Sequence, residues 1–275
     1  MKNFIKNVIG SNNILKLRQI YRYLSGNFLN SKPLATEKEY LELHKEYVEE
    51  IKNDYFINNN FSSSDIKFIN DLALITQVVK KVSKINWMHG YIIMKTLRGY
   101  VHGSNNNINI FETGTARGFS AIIMSYVLNE LNKSFNINTL DIIPHEKKIY
   151  WNCISDIKRG KVTRKILLTD YSKYLKNINF ISGISKDILT NLNLERIHFA
   201  FLDGSHEYED VKFEFEFVDK RNKTHDIIVL DDYTPGRFDG VVKLVDEIKL
   251  KKNYNLDFLN NNKDRGYVIL KKLKS

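Results

Sequence analysis

The sequence predicts an α/β fold: a mostly parallel sheet closed by an antiparallel C-terminal hairpin and preceded by a helical extension. Three observations predict it. Two apolar runs, Ile197-His198-Phe199-Ala200-Phe201-Leu202 and Ile227-Ile228-Val229-Leu230, empty into carboxylates at Asp203 and at Asp231-Asp232. Short apolar runs of this kind read as buried parallel strands. A third run, Ile108-Asn109-Ile110-Phe111, leads through a glycine-bearing turn into an apolar helix from Ala121 through Leu131. Finally, polar residues from Asn260 to Gly266 separate two strand-like runs, as a hairpin turn does.

Residues 1–100 read as a helical N-terminal extension, and residues 101–275 as the sheet domain. Ile14, Leu15, Leu17, Ile20, Tyr21 and Leu24 recur at helical spacing, with Lys16, Arg18 and Arg22 between them. Such a stripe can lie on an anionic membrane surface, associate with a second copy of the chain, or cover the core. Covering the core is the commonest use. Breaks are expected at Ser31-Lys32-Pro33 and across the polar tract Asn58 to Ser64. Helical patterns resume over Asp65–Val82 and around Trp87–Leu97, and His89 and His102 stand near the first strand as pocket-lining or packing residues.

Strands are expected at 108–113, 136–142, 178–182, 196–203, 226–231, 254–260 and 266–271. Lys212-Phe213-Glu214-Phe215-Glu216-Phe217 alternates at period two, which is a strand signal. A crossover must nevertheless join the parallel strands on either side. The segment is therefore expected to be a helix, with Val211, Phe215 and Val218 on one face. The stretch from Pro144 to Tyr174 exceeds one crossover helix. Its Tyr150, Trp151, Arg164 and Tyr171 either wall a substrate cleft or belong to a packed helical insertion.

A chain of 275 residues buries a doubly wound sheet with additional elements. It has no apolar run of about eighteen residues, so no membrane span is expected. The N-terminus lacks the apolar segment and small-residue cleavage site of a signal peptide. Cys153 is the only cysteine; it excludes an internal disulfide and suits a cytoplasmic location. The net charge of +10 raises nucleic acid as a partner. The lysines are spread along the whole chain, however, and no nucleic-acid module accompanies them, so that partner is not expected.

The chemistry is expected at the carboxyl ends of the strands, where open α/β sheets bind ligands. One strand-end aspartate reads as a helix cap. Three, Asp203, Asp231 and Asp232, with His206 three residues after the first, read as a site. Carboxylates supply the hard oxygens that Mg²⁺ prefers, and an imidazole is a base suited to neutral pH. Upstream, Glu112-Thr113-Gly114-Thr115-Ala116-Arg117-Gly118-Phe119-Ser120 joins strand to helix. Gly114 permits close approach of a ligand and Gly118 close packing of the helix. The Gly-x-x-x-Gly spacing departs from dinucleotide sites. Asp141, after the second strand, stands where an acid binds ribose hydroxyls.

In this order the motifs resemble class I methyltransferases that use S-adenosylmethionine, over roughly residues 105–275. The resemblance implies that Glu112, Gly114, Gly118 and Ser120 surround the methionine part of the cofactor. It implies that Asp141 holds its ribose and Gly183-Ile184-Ser185 touches its adenine, with Asp203 at the inner edge of the same site. Asp203, Asp231 and Asp232 are similar to the metal site of Mg²⁺-dependent O-methyltransferases. The catechol type has a lysine three residues after the first metal aspartate. Here that residue is His206, as in the macrocin and mycinamicin sugar O-methyltransferases. The resemblance thus implies methyl transfer to a hydroxyl of a small molecule, a sugar or glycosylated metabolite, with His206 as general base. Two alternatives stay open: a metal-independent methyltransferase, and a non-catalytic cofactor-binding protein.

Overall fold

The structure, a computed structural model, describes residues 32–81, 83–101, 107–260 and 265–274. The stripe from Ile14 to Leu24, Ser31 and His102 lie outside the described residues.

Among the described residues four helices precede the sheet: α1 (Glu37–Ile51), α2 (Tyr55–Asn60), α3 (Ser63–Thr76) and α4 (Met88–Val101). Their starts are local chemistry. The Thr36 hydroxyl accepts the Glu39 N–H at 3.2 Å while the Glu39 carboxylate accepts the Thr36 N–H at 2.7 Å. Ser62 and Asp65 repeat this capping box at α3. Asp54 caps α2, so Asn58–Asn60, expected in a break, are helical, and the chain interrupts only at Phe61-Ser62. The helix expected over 65–82 stops at Thr76. There the amides of Gln77 and Val78 both turn back to the Ala73 carbonyl, at 2.7 and 3.0 Å, and Val78 and Val79 are buried. No helix among the described residues is long and apolar enough to cross a membrane.

The remaining elements alternate: β1 (Ile108–Thr113), α5 (Phe119–Glu130), β2 (Phe135–Asp141), α6 (Ser155–Arg159), α7 (Arg164–Leu167), β3 (Ile178–Ser182), α8 (Ser185–Asn191), β4 (Phe199–Leu202), α9 (Tyr208–Asp219), β5 (Ile227–Leu230), α10 (Asp239–Lys251), β6 (Tyr254–Asn260) and β7 (Gly266–Lys272). Among the described residues seven strands form one sheet, in the order β3-β2-β1-β4-β5-β7-β6. The first five strands in that order are parallel, and β7 runs antiparallel to both β5 and β6. This is the expected Rossmann-like sheet closed by a hairpin. β4 and β5 are shorter than expected at both ends: they begin at Phe199 and Ile227 and stop at Leu202 and Leu230, before each aspartate.

Segment 212–217 is helical within α9, and Val211, Phe215 and Val218 are buried together. Between Pro144 and Tyr174 lie two short helices, a 3₁₀ turn over Thr169–Tyr174 and one bridge from Ile149 to Val162. Trp151 and Arg164 are wholly buried there, so these two are packing residues and do not wall an open cleft.

Both faces of the sheet are covered. Ile110, Ile137, Phe199, Phe201 and Val229 pack with residues of α3–α5, and Phe111, Leu140, Ala200, Leu202, Ile228 and Leu230 with residues of α8–α10. That double burial explains why β4 and β5 read as unbroken apolar runs.

Asp65 and Arg98 pin α3 to α4 through two contacts of 2.9 and 2.6 Å. Burial would raise the Asp65 pKa, but the hydrogen bonds from Arg98 outweigh it and bring it from 3.8 to about 2. The pair is therefore fully stabilising above pH 3.8 and is lost as pH falls through about 2. Arg98→Gln should cost about 1–3 kcal/mol at pH 7, the penalty of stranding a buried acceptor. It should also flatten the loss of stability between pH 4 and 2, as read by urea unfolding. Unchanged acid sensitivity would show that Asp65 is held by its Ser62 contacts instead.

Candidate active site

Strand register assembles the site. Thr113 lies opposite Leu140 on one side and Leu202 on the other, and Leu202 lies opposite Leu230. The residues that follow, Gly114, Asp141, Asp203 and Asp231, therefore emerge along one edge. Strand order reverses between β1 and β4, the switch point at which such sheets open a crevice.

The turn after β1 is left-handed at Gly114, Ala116 and Gly118, with φ of 88°, 45° and 90°. A Cβ on Gly114 would stand 2.2 Å from the Asp203 carbonyl oxygen, so the glycine turn rests directly on the backbone after β4. Asp141 braces the turn from the other side. One carboxylate oxygen accepts the Ala116 N–H at 2.6 Å, the other the Ile143 N–H at 2.8 Å. Arg164 reaches the same two segments from below, donating to the carbonyls of Ala116 and Ile143 at 3.0 and 3.2 Å. The first turn of α5 receives no side-chain cap from Gly118. Left-handed glycines, an uncapped helix start and a strand-end acid fit the amino-acid and ribose ends of a nucleoside cofactor.

Glu112, Ser120 and Ser185 sit differently from a ligand-facing set. Glu112 is wholly buried and accepts hydrogen bonds from the hydroxyls of Ser120 and Thr139. Burial pushes its pKa up to about 7 against the pull of those hydroxyls. Ser185 donates to Glu214 at 2.6 Å, and Thr113 donates to the same carboxylate at 2.8 Å. Burial likewise raises Glu214 to about 7. The two serines thus hold strand and helix ends together through buried acids.

At the other half of the site, Asp203, His206 and Asp232 offer ligand atoms within 4.8 Å of one another. His206 Nε2 is 3.3 Å from Asp232 Oδ2, and its ring lies 4.4 Å from that of Phe238. Asp231 is adjacent but buried, and Arg265 grips both of its oxygens, Nε at 2.8 Å. The same guanidinium approaches Asp232 Oδ1 at 3.1 Å and Asp203 Oδ2 at 3.6 Å. Burial first, and the neighbouring Asp231 charge second, raise Asp203 well above the ordinary carboxylate range, and they raise Asp232 as well. The Arg265 guanidinium faces all three carboxylates, and His206 faces Asp232. With oxygen and nitrogen donors already converged, this set fits a divalent cation.

Two contributors were not legible as site residues. Arg265 lies in the polar turn before β7 and carried no motif. Gly240, in the first turn of α10, has its Cβ position 2.2 Å from the His206 carbonyl oxygen and 2.5 Å from the Tyr208 amide. Only glycine lets the His206 loop rest there. His89 is buried against Phe119 and Phe201, and burial lowers its pKa to about 3; it is a neutral packing residue.

Residues 111–233 match the sequence profile of a family described as a methyltransferase domain. No curated protein matches the chain. The fold is similar to that of the O-methyltransferase NovP, with 18% identity over 71% of this chain and 84% of that one, at a TM-score of 0.52. An O-methyltransferase from Bacillus cereus in complex with SAH gives 15% identity over 82% and 96%, at 0.53. The O-methyltransferase TomG from Streptomyces achromogenes, involved in tomaymycin synthesis and in complex with SAM, gives 14% over 78% and 98%, at 0.53.

The buried acids make one prediction about stability. Glu214 has its pKa raised from 4.5 to about 7, so its protonated form favours the fold. Its contribution is full below pH 4.5 and is lost as pH rises through about 7. Glu214→Gln should remove this slope, so that urea midpoints at pH 5 and pH 8 converge relative to wild type. A slope identical to wild type would place the ionisation elsewhere.

Proposed function

From the methyltransferase domain at residues 111–233, we propose that this chain is an S-adenosylmethionine-dependent, Mg²⁺-assisted O-methyltransferase whose acceptor is a hydroxyl of a sugar or glycosylated metabolite. One observation carries the reading. The glycine turn after β1 rests on the backbone of Asp203, so the cofactor half and the acid–base half are contiguous. Two O-methyltransferases similar in fold, that from Bacillus cereus and TomG, are in complex with SAH and SAM respectively, which supports the cofactor.

In this reading the uncapped start of α5 faces the amino-acid end of the cofactor and Asp141 its ribose. S-adenosylmethionine supplies an electrophilic methyl group on a sulfonium, and the protein's task is mainly to align donor and acceptor. Asp203 and Asp232 would hold a divalent cation, and such an ion would supply the Lewis acidity that lowers the pKa of an acceptor hydroxyl. His206 takes the hydroxyl proton as general base, and Asp232, 3.3 Å away, stabilises the imidazolium that forms. The Phe238 ring beside His206 offers an apolar platform of the kind that binding pockets use to orient a ligand. Sugar specificity rests on this platform and on the histidine three residues after Asp203.

A second reading has a specific observation behind it: the His206 nitrogen lies close enough to both carboxylates to be a third metal ligand. His206→Ala separates the two roles. As general base, its loss should lower the rate by about 10²–10⁴, erase one limb of the pH–rate profile and leave Mg²⁺ affinity nearly unchanged. A large loss of Mg²⁺ affinity would make it a ligand. A near wild-type rate with the same profile would leave it neither.

The cofactor and metal assignments are tested separately. Asp141→Ala should weaken S-adenosylmethionine binding by about 0.5–1.5 kcal/mol for each ribose hydrogen bond lost, read by calorimetry; unchanged affinity would refute the ribose assignment. Asp203→Asn or Asp232→Asn should reduce Mg²⁺-dependent turnover while largely sparing cofactor affinity. A wild-type rate untouched by EDTA would remove the metal from the reaction.

A further inference from the structure

Arg265 brings a fixed positive charge into the place proposed for a divalent cation. Its guanidinium takes both oxygens of Asp231, the most buried of the three acids, which stands outside the Asp203–His206–Asp232 cluster. It also stands 3.1 Å from Asp232 Oδ1 and 3.6 Å from Asp203 Oδ2. A bidentate fork on one carboxylate with longer contacts to two others is an anchored but shared cation. Burial opposes its charge, yet the surrounding carboxylates hold it protonated.

We propose that Arg265 is a resident counter-ion that competes with the divalent cation for Asp203 and Asp232 and keeps Asp231 out of the ligand set. This inference rests on the metal reading above. Without the ion, Arg265 keeps three crowded carboxylates together at the tips of β4 and β5. With the ion, it retains Asp231 and gives up its contacts to Asp203 and Asp232. Metal affinity is thereby held down, and occupancy of the site is felt at the start of β7, the strand that Arg265 leads into.

The test is calorimetric titration of wild type and Arg265→Gln with MnCl₂ alone, with melting curves in EDTA and in saturating Mn²⁺. Removing one positive charge a few ångströms from a divalent cation should tighten Mn²⁺ binding by about tenfold or more. In EDTA the variant should melt below wild type, and Mn²⁺ should raise its melting temperature by more than it raises that of wild type. Equal or weaker Mn²⁺ affinity in the variant, with wild type binding, would overturn the competition and leave the metal reading standing. Binding to neither protein would overturn both. Should Arg265→Gln fail to fold, the Nε–H resonance of Arg265 in wild type, assigned with Arg265→Lys, supplies the answer. It should shift on Mg²⁺ addition, and a resonance unmoved at saturation would refute displacement.

Discussion

Three carboxylates brought within reach of one guanidinium form the constraint on which the rest of this site depends. Parallel register places Asp203 and Asp231-Asp232 side by side, since β4 and β5 end on facing residues, Leu202 and Leu230. Left alone, such crowding in a dry environment would oppose folding. The hairpin resolves it. Because β7 runs antiparallel to β5, its first residue, not its last, meets the carboxyl edge, and Arg265 immediately precedes it. The strand that closes the sheet thus also delivers the cation that makes the edge tolerable.

A second set of buried acids works by neutralisation instead of pairing. Glu112 and Glu214 are each held by two hydroxyls. Their hydrogen bonds connect β1 to β2 and α5 through Glu112, and β1 to α8 and α9 through Glu214. The glycine turn is therefore suspended from a strand whose end is fixed on both sides. Asp141 and Arg164 complete its support through backbone groups of Ala116 and Ile143. A turn held this way presents its amides without needing a ligand to order them, which lowers the entropic cost of binding.

Legibility in the sequence followed locality. The apolar runs of β4 and β5, the glycine turn and the strand-end acids are all contained within a few consecutive residues, and each was readable. The alternating segment Lys212–Phe217 shows where local pattern misleads. Its period-two phenylalanines imitate a strand, and only the need for a crossover between β4 and β5 identifies a helix. Likewise the valines after Thr76 continue a helical pattern, but the helix stops where the Gln77 and Val78 amides both return to the Ala73 carbonyl.

What the sequence determined by itself was the order of strands and helices, and hence which edge of the sheet would carry acids and a histidine. Tertiary structure decided what those groups face. Arg265 reaches Asp231 across a separation of 34 residues, and Gly240 meets His206 across a helix and a strand. The hydroxyls of Ser120 and Ser185 turn inward to Glu112 and Glu214, because a buried carboxyl group must find donors and these are the ones within reach. Local spacing encodes backbone conformation, since that energy is set by near neighbours. Charge pairing and close approach depend on residues that only the folded sheet brings together.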